Sequence, residues 1–211
     1  MKKFNKIFLI FILFLFFFIL NAYSYANFVS QNLSNTFFRL HILANSNSKE
    51  DQILKIKVRD GIIEYMNELI QSENTKEKIQ KICEKNKENF KNIAENIILD
   101  NGYNYTVNVS IDDFYFPTKN YGNISLPSGV YDALRIEIGN SKGENWWCSL
   151  FPPLCFIDVS TGIIDYEGEK YLEKNLSKEE FSIISENSKT VKFKFKIIEI
   201  LNNKNTQKNM L

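Results

Sequence analysis

The chain has little of what most chemistry needs. Of its 211 residues one is histidine, His41, and three are cysteine. A single imidazole and two cysteines set around a Pro-Pro pair do not make a tetrahedral metal site. Asp112-Asp113 is too short for a calcium loop, which wants oxygens at regular offsets along about twelve residues. No metal and no cofactor is therefore expected. Three cysteines allow at most one internal bridge. Cys148 and Cys155 are the candidate pair, while Cys83 sits in a helical pattern and reads as a small buried apolar residue. Strong charge is missing too: 26 basic residues stand against 25 acidic ones. That balance gives no broad attraction to nucleic acid or anionic lipid. No small-molecule substrate is indicated.

What is there begins with a leader. Lys2, Lys3 and Lys6 precede fourteen unbroken apolar residues, Ile7 to Leu20, and then Ala22-Tyr23-Ser24-Tyr25-Ala26. A basic start, an apolar run and small residues two apart form a secretory signal pattern with cleavage after Ala26. The competing reading is a retained anchor, although fourteen residues fall short of the ~20 needed to span. Residues 1–26 are thus a signal peptide or anchor, and 27–35 a flexible tether. Residues 36–201 are one domain, long enough for a real core; the tail from 202 to 211 is expected to be disordered.

Within the domain, Thr36 to Ala44 alternates as a first strand. Ser48 with Asp51 forms an N-cap arrangement for a helix from Lys49 to Ile70, whose stripe is Leu54, Val58, Ile62, Tyr65 and Leu69. A second helix covers Thr75 to Asp100, with Gly102 placed for a left-handed C′ position. Tyr103 to Ile111 alternates cleanly as a strand, and the apolar shift at Asp112-Asp113 suggests a bulge or turn. Ser177 to Ile184 suits a short capped helix, and Val191 to Ile197 alternates as a last strand. The fold class is α+β: a single domain with a mainly antiparallel sheet and two long helices packed on one face.

The scarce residue types gather in Leu126 to Phe156, LPSGVYDALRIEIGNSKGENWWCSLFPPLCF. It holds three of the four prolines, three of the eight glycines, both tryptophans and two of the cysteines. Ala133 to Gly139 reads as a strand, Gly139 to Gly143 as a hairpin turn, and Trp146 to Phe151 as the returning strand. LPSGVYDALRI and the NWWC-x-LFPPLCF run resemble the stage II sporulation protein R family of endospore-forming bacteria. Phe38 to Ile62, FRLHILANSNSKEDQILKIKVRDGI, looks like that family's other block. The resemblance implies a protein made in the forespore and exported into the space between forespore and mother cell. There it would activate a membrane-embedded aspartic-type protease of the mother cell, which processes the sigma factor E precursor. In that picture the chain is a signal, not an enzyme.

Two rivals stay open on the residues themselves. A cysteine-dependent hydrolase would need Cys148 and His41 to meet, with Asn45 or Asp132 as orienter; the aromatic surroundings of Cys148 supply no glycine-rich elbow for an oxyanion. A cell-wall glycan-binding module would stack sugars on Trp146, Trp147 or Tyr121, but adjacent strand residues face opposite ways. A contact protein would instead use displayed polar and aromatic groups. Arg39, His41, Asn45, Ser46, Asp51, Lys55 and Arg59 are the candidates in the first block. Ser128, Tyr131, Asp132, Arg135 and Trp146 are those in the second. Arg39, Arg59 and Arg135 are the only arginines. Planar, bidentate contacts are where a guanidinium outdoes lysine; the alternative is intramolecular pairing with Asp60, Asp132 or Glu137.

Overall fold

A computed structural model describes residues 2–70, 75–121, 124–155 and 166–185. The expected last strand, Val191 to Ile197, and the tail lie outside these residues. The chain opens with helix α1, Lys2–Thr36, and passes through Phe37 straight into strand β1, Phe38–Leu43. Residues 27–35, read as a tether, are the last turns of α1, and Val29 and Leu33 are buried against the domain. Among the described residues α1 is the one helix long and apolar enough to cross a membrane, with a mean hydropathy of 2.6 in its best window.

Helix α2, Lys49–Leu69, starts where the cap signal puts it: Asp51 N donates to Ser48 Oγ at 3.1 Å. The expected second helix is two, α3 (Lys76–Lys85) and α4 (Lys87–Asp100). They break at Asn86, whose side-chain Nδ2 bonds back to Ile82 O at 2.9 Å and whose Oδ1 accepts from Tyr65 OH at 2.9 Å. Short amides compete with the helix ladder in this way. The break lets α4 lie against α2, where a side chain at Gly61 would run into Ile97. Gly102 takes the left-handed conformation, φ 82°, that ends α4.

The remaining elements are β2 (Val107–Phe116), β3 (Lys119–Tyr121), β4 (Ile124–Leu126), β5 (Gly129–Ile138), β6 (Asn145–Phe151), α5 (Tyr166–Asn175) and α6 (Lys178–Ser185). Glu180 N donates to Ser177 Oγ and Ser177 N to Glu180 Oε2, a reciprocal cap for α6.

The domain is α+β, but the four-stranded sheet is mixed, in the order β2-β5-β1-β6. β5 pairs antiparallel with β2 and parallel with β1, and β6 pairs antiparallel with β1. β5 and β6 are therefore not the hairpin that their spacing suggests: β1 lies between them. The 139–144 turn crosses over the end of β1 instead of closing the expected hairpin. Nor is there a bulge at Asp112-Asp113, because β2 keeps one register from Val107↔Ile138 to Phe116↔Gly129. The shift of apolar side chains from odd to even positions reflects two layers covering opposite faces of one straight strand.

On one face Phe38, Leu40, Ile42, Leu134, Ile136 and Val109 pack on α2, α3 and α4 through Leu54, Val58, Ile62, Cys83, Phe90 and Ala94. The other face carries a second core: Phe116, Tyr131 and Ala133 meet Val29 and Leu33 of α1, Ile124 and Leu126 of β4, and Leu172, Leu176 and Ile184 of α5 and α6. Burying each such aliphatic side chain contributes about 1.5–3 kcal/mol.

Candidate contact surface

β1 places its side chains alternately in the two cores, so Arg39 and His41 point away from the long helices. Arg39 is fully buried. Its guanidinium lies over the rings of Phe116 at 4.1 Å, Tyr131 at 4.8 Å and Tyr121 at 5.7 Å. Nε donates to Cys148 O at 3.2 Å and Nη2 to Tyr121 OH at 2.5 Å. Among the described residues no carboxylate bonds it; rings and neutral oxygens carry the charge. His41 stacks on Trp147 at 3.8 Å, and its Nε2 meets Asn145 Oδ1 at 3.0 Å. Burial pushes the imidazole pKa down to about 4; the Asn145 bond opposes this, and the positive charges of Arg135 and Arg39 add to it. At neutral pH His41 is uncharged.

Tyr131 and Ser128 are buried in the same layer, and Tyr131 OH donates to Pro127 O at 2.8 Å. These four residues, expected on display, are part of the second core. Arg39, His41 and Tyr131 each meet a specific partner or ring inside it, while the buried Ser128 hydroxyl finds none among the described residues; sequence alternation alone does not separate such burial from exposure.

At the C-terminal ends of the parallel pair β1 and β5 the first block builds a clasp. Asp51 is buried and accepts from Asn45 Nδ2 at 2.8 Å and Ser46 Oγ at 2.6 Å. Burial alone would raise its pKa, but bonds from Ser46, Asn45, Tyr105 and Ser48 outweigh it and lower the value. Asn45 Oδ1 accepts from Asn140 N at 2.9 Å, and Asn47 Oδ1 from Glu144 N at 2.7 Å. Gly143 N donates to Ala44 O at 2.9 Å. Lys55, also buried, donates to Glu144 O at 2.9 Å and Gln52 Oε1 at 2.6 Å.

The loop does have a structural duty that fixes its polar identity: it ties the β1–α2 connection to the turn over β1. Gly143 approaches Ser46 O so closely that a Cβ there would strike the backbone, and Gly139, at φ 55°, would strike Asn45. What the clasp leaves in solvent is its rim, residues 47–50 and 140, 142, 144 and 145.

Arg59, on α2, lies over the ring of Trp146 at 4.3 Å and pairs with Asp60 at 2.5 Å. Trp146 and Trp147 fall on opposite faces of β6, and both are half-buried. Arg135 pairs with Glu137 at 2.7 Å and lies over Phe114 at 4.9 Å. Asp132 is held by Lys76 at 2.5 Å and stands opposite Asp113 across β2 and β5. Two of the three arginines are thus in internal ion pairs and the third is in a ring cage. Asn45, Ser46, Asp51, Lys55, Arg59 and Trp146 come together; Arg135 and Asp132 sit apart from them. The cage partner Phe116 and the clasp partner Tyr105 escape sequence reading because they join distant segments. Tyr121 is read there only as a sugar-stacking candidate, and Gln52 bonds within the first block to Ser46 O and Lys55.

Cys148 and Cys155 form a disulfide, with Cα atoms 5.4 Å apart. Leu154 N and Cys155 N both donate to Ser149 O, at 3.0 and 3.2 Å, which folds the chain back after the cis Phe151–Pro152 bond. Cys83 is the free cysteine, fully buried, its pKa pushed up to about 12 chiefly by desolvation. Among the described residues no group of His, Cys, Asp and Glu could hold a metal ion.

These features define a class: a mixed α+β domain led by an apolar helix, with a ring-caged arginine in one core and a hydrogen-bonded clasp at one end. The chain belongs to the stage II sporulation protein R family, whose model matches residues 34–161. It is 41% identical over 124 residues to "Stage II sporulation protein R" of Bacillus subtilis (strain 168); that stretch covers 59% of this chain and 55%, about half, of that protein. No solved structure matches it. Family membership supports a role in sporulation.

Proposed function

We propose that the chain is an exported contact signal of sporulation. Carried out of the forespore by α1, it acts on a membrane-embedded aspartic-type protease of the mother cell and so starts processing of the sigma factor E precursor. The observation that carries this reading is the family match, which spans both blocks and the clasp that joins them. A rigid, polar rim suits recognition, because contacts already held in place lose little entropy on binding.

A cysteine-dependent hydrolase is a poorer fit. Cys148 is bonded to Cys155, and His41 faces an asparagine and an indole. A glycan-binding module also fits less well: Arg59 covers one face of Trp146 and His41 one face of Trp147.

The test expresses the membrane protease and the sigma-factor precursor together, with this chain under a second promoter. Processing is expected when the full chain is made and exported. It is expected to be lost when residues 2–26 are deleted, which keeps the domain in the cytoplasm. Equal processing by the leaderless chain would refute the proposal.

A further inference from the structure

The sheet has two outer strands, and they differ in what covers them. On β6, Tyr121 OH donates to Trp147 O at 3.1 Å, and Leu154 N and Cys155 N donate to Ser149 O. β2 is longer, ten residues, and among the described residues no strand lies on its outer side. Gly139 N donates to Thr106 O at 2.9 Å, which sets the phase of the β2–β5 ladder. Even-numbered positions of β2 bond β5; Val107, Val109, Ile111, Asp113 and Tyr115 turn their backbone groups outward. The Asp113 amide is taken by Asp112 Oδ1 at 2.8 Å. Among the described residues nothing bonds the outward groups of Val107, Val109 and Ile111. A bare edge of this length invites pairing, so proteins cover or interrupt it.

The two sides of β2 dictate what a covering strand must look like. Val107 and Val109 are buried in the first core, and Ile111 packs half-buried against it. On the other side Asn108 and Asp112 are exposed and Ser110 is half-buried. A strand laid along this edge must therefore be apolar on one side and polar on the other. β2 carries two acids, Asp112 and Asp113, and no base. Asp112 is in no ion pair among the described residues.

One segment of the chain itself has the matching properties. Val191, Phe193, Phe195 and Ile197 alternate strictly with Lys192, Lys194 and Lys196, and no acid interrupts them. Five residues separate this segment from Ser185, where α6 ends. Ile184 of α6 lies in the second core with Phe116, the last residue of β2. A connection of that length reaches about 20 Å, enough to bring Val191 alongside that end of β2. A segment entering there runs antiparallel to β2.

We infer that residues 191–197 add to the outer edge of β2 as an antiparallel fifth strand and close the sheet. Val191 lies opposite Asp113, Phe193 opposite Ile111, Phe195 opposite Val109 and Ile197 opposite Val107. The apolar row extends the first core, and Lys192 stands directly across from Asp112. A slip of one residue would put the lysines over that core. A second copy of the chain is a poorer cover, because two β2 edges meeting antiparallel crowd four aspartates together. A segment tethered this closely also meets the edge at an effective concentration on the order of millimolar.

The experiment follows amide hydrogen exchange, residue by residue, in the purified full chain in detergent. The amides of Val107, Val109 and Ile111 are expected to exchange at least roughly tenfold slower than free amides. Phe193→Pro removes a donor from the added strand and should return all three to within a few fold of the free rate. Asn108 and Ser110, bonded to β5, are the controls and should not change. Free exchange at the three amides in the unaltered chain overturns the inference, as does protection that survives Phe193→Pro. Protection that falls on dilution assigns the edge to a second copy. Protection gained only with the membrane protease present assigns it to a partner strand. Either result overturns the inference.

A second measurement needs no variant and covers the case in which Phe193→Pro fails to fold. A carbodiimide, which joins a carboxylate to an amine in contact with it, should link Asp112 to Lys192 or Lys194 within one chain. Peptide mapping of the monomer that finds neither link overturns the inference too.

Discussion

Arg39 is among the largest fully buried side chains of the domain, and its charge is balanced by three rings, a carbonyl and a tyrosine hydroxyl. Arg39→Ala would empty that cage and remove the donors to Cys148 O and Tyr121 OH. The expected cost is about 3 kcal/mol or more, read as a fall in the urea midpoint. Its neighbour His41 predicts a pH dependence. Its folded pKa is about 4 against 6.5 for the free group, so between those values the unfolded chain binds the proton that the folded one refuses. Stability from this group is present above pH 6.5 and is lost as pH falls toward about 4, by on the order of 2–3 kcal/mol. Melts of the full chain at pH 7 and pH 5 should show the loss, and His41→Phe should flatten it. The sequence marks Arg39 and His41 as unusual through their rarity, but gives them to the surface. Their alternation in β1 is the same whether the second face meets water or a core, and the covering groups arrive from α1, β2 and β3.

At the scale of elements, the clasp is the least forgiving part of the fold. Gly143→Ala sets a methyl against Ser46 O, which is backbone and cannot rotate away. The loop must shift, and a loss of about 2 kcal/mol is expected, with faster hydrogen exchange at the amides of Asn140 and Glu144. Replacing Cys148 and Cys155 by serine should cost a similar amount, about 2–3 kcal/mol for so short a loop, and intact mass before and after reduction checks the bridge itself. Local signals predict the elements well: the Ser48 cap, the α2 stripe, Gly102 and the Ser177–Glu180 cap all stand where residue spacing puts them. Pairing was not legible. The turn chemistry of Gly139 to Gly143 suits a hairpin, and only the insertion of β1, a strand from 90 residues earlier, turns it into a crossover. The break at Asn86 is hidden because apolar residues at helical spacing, Ile79 and Cys83 before it and Phe90 after it, continue across it, and the amide's back-bond to Ile82 has no periodic signature.

For the whole molecule, α1 and the clasp stand at opposite ends of β1, and the central claim is that the chain acts by contact and carries no catalytic step of its own. A catalytic group, once removed, costs several orders of magnitude in rate even in an intact fold. Contact energy concentrates in a few placed side chains. The most direct measurement is precursor processing in cells that express the membrane protease together with a folded, exported chain carrying His41→Phe and both Cys148→Ser and Cys155→Ser. The account predicts processing within a few fold of the unaltered chain once any loss of chain level is corrected for. A folded, exported triple variant that starts no processing at all would contradict it and point to a reaction at His41 and Cys148.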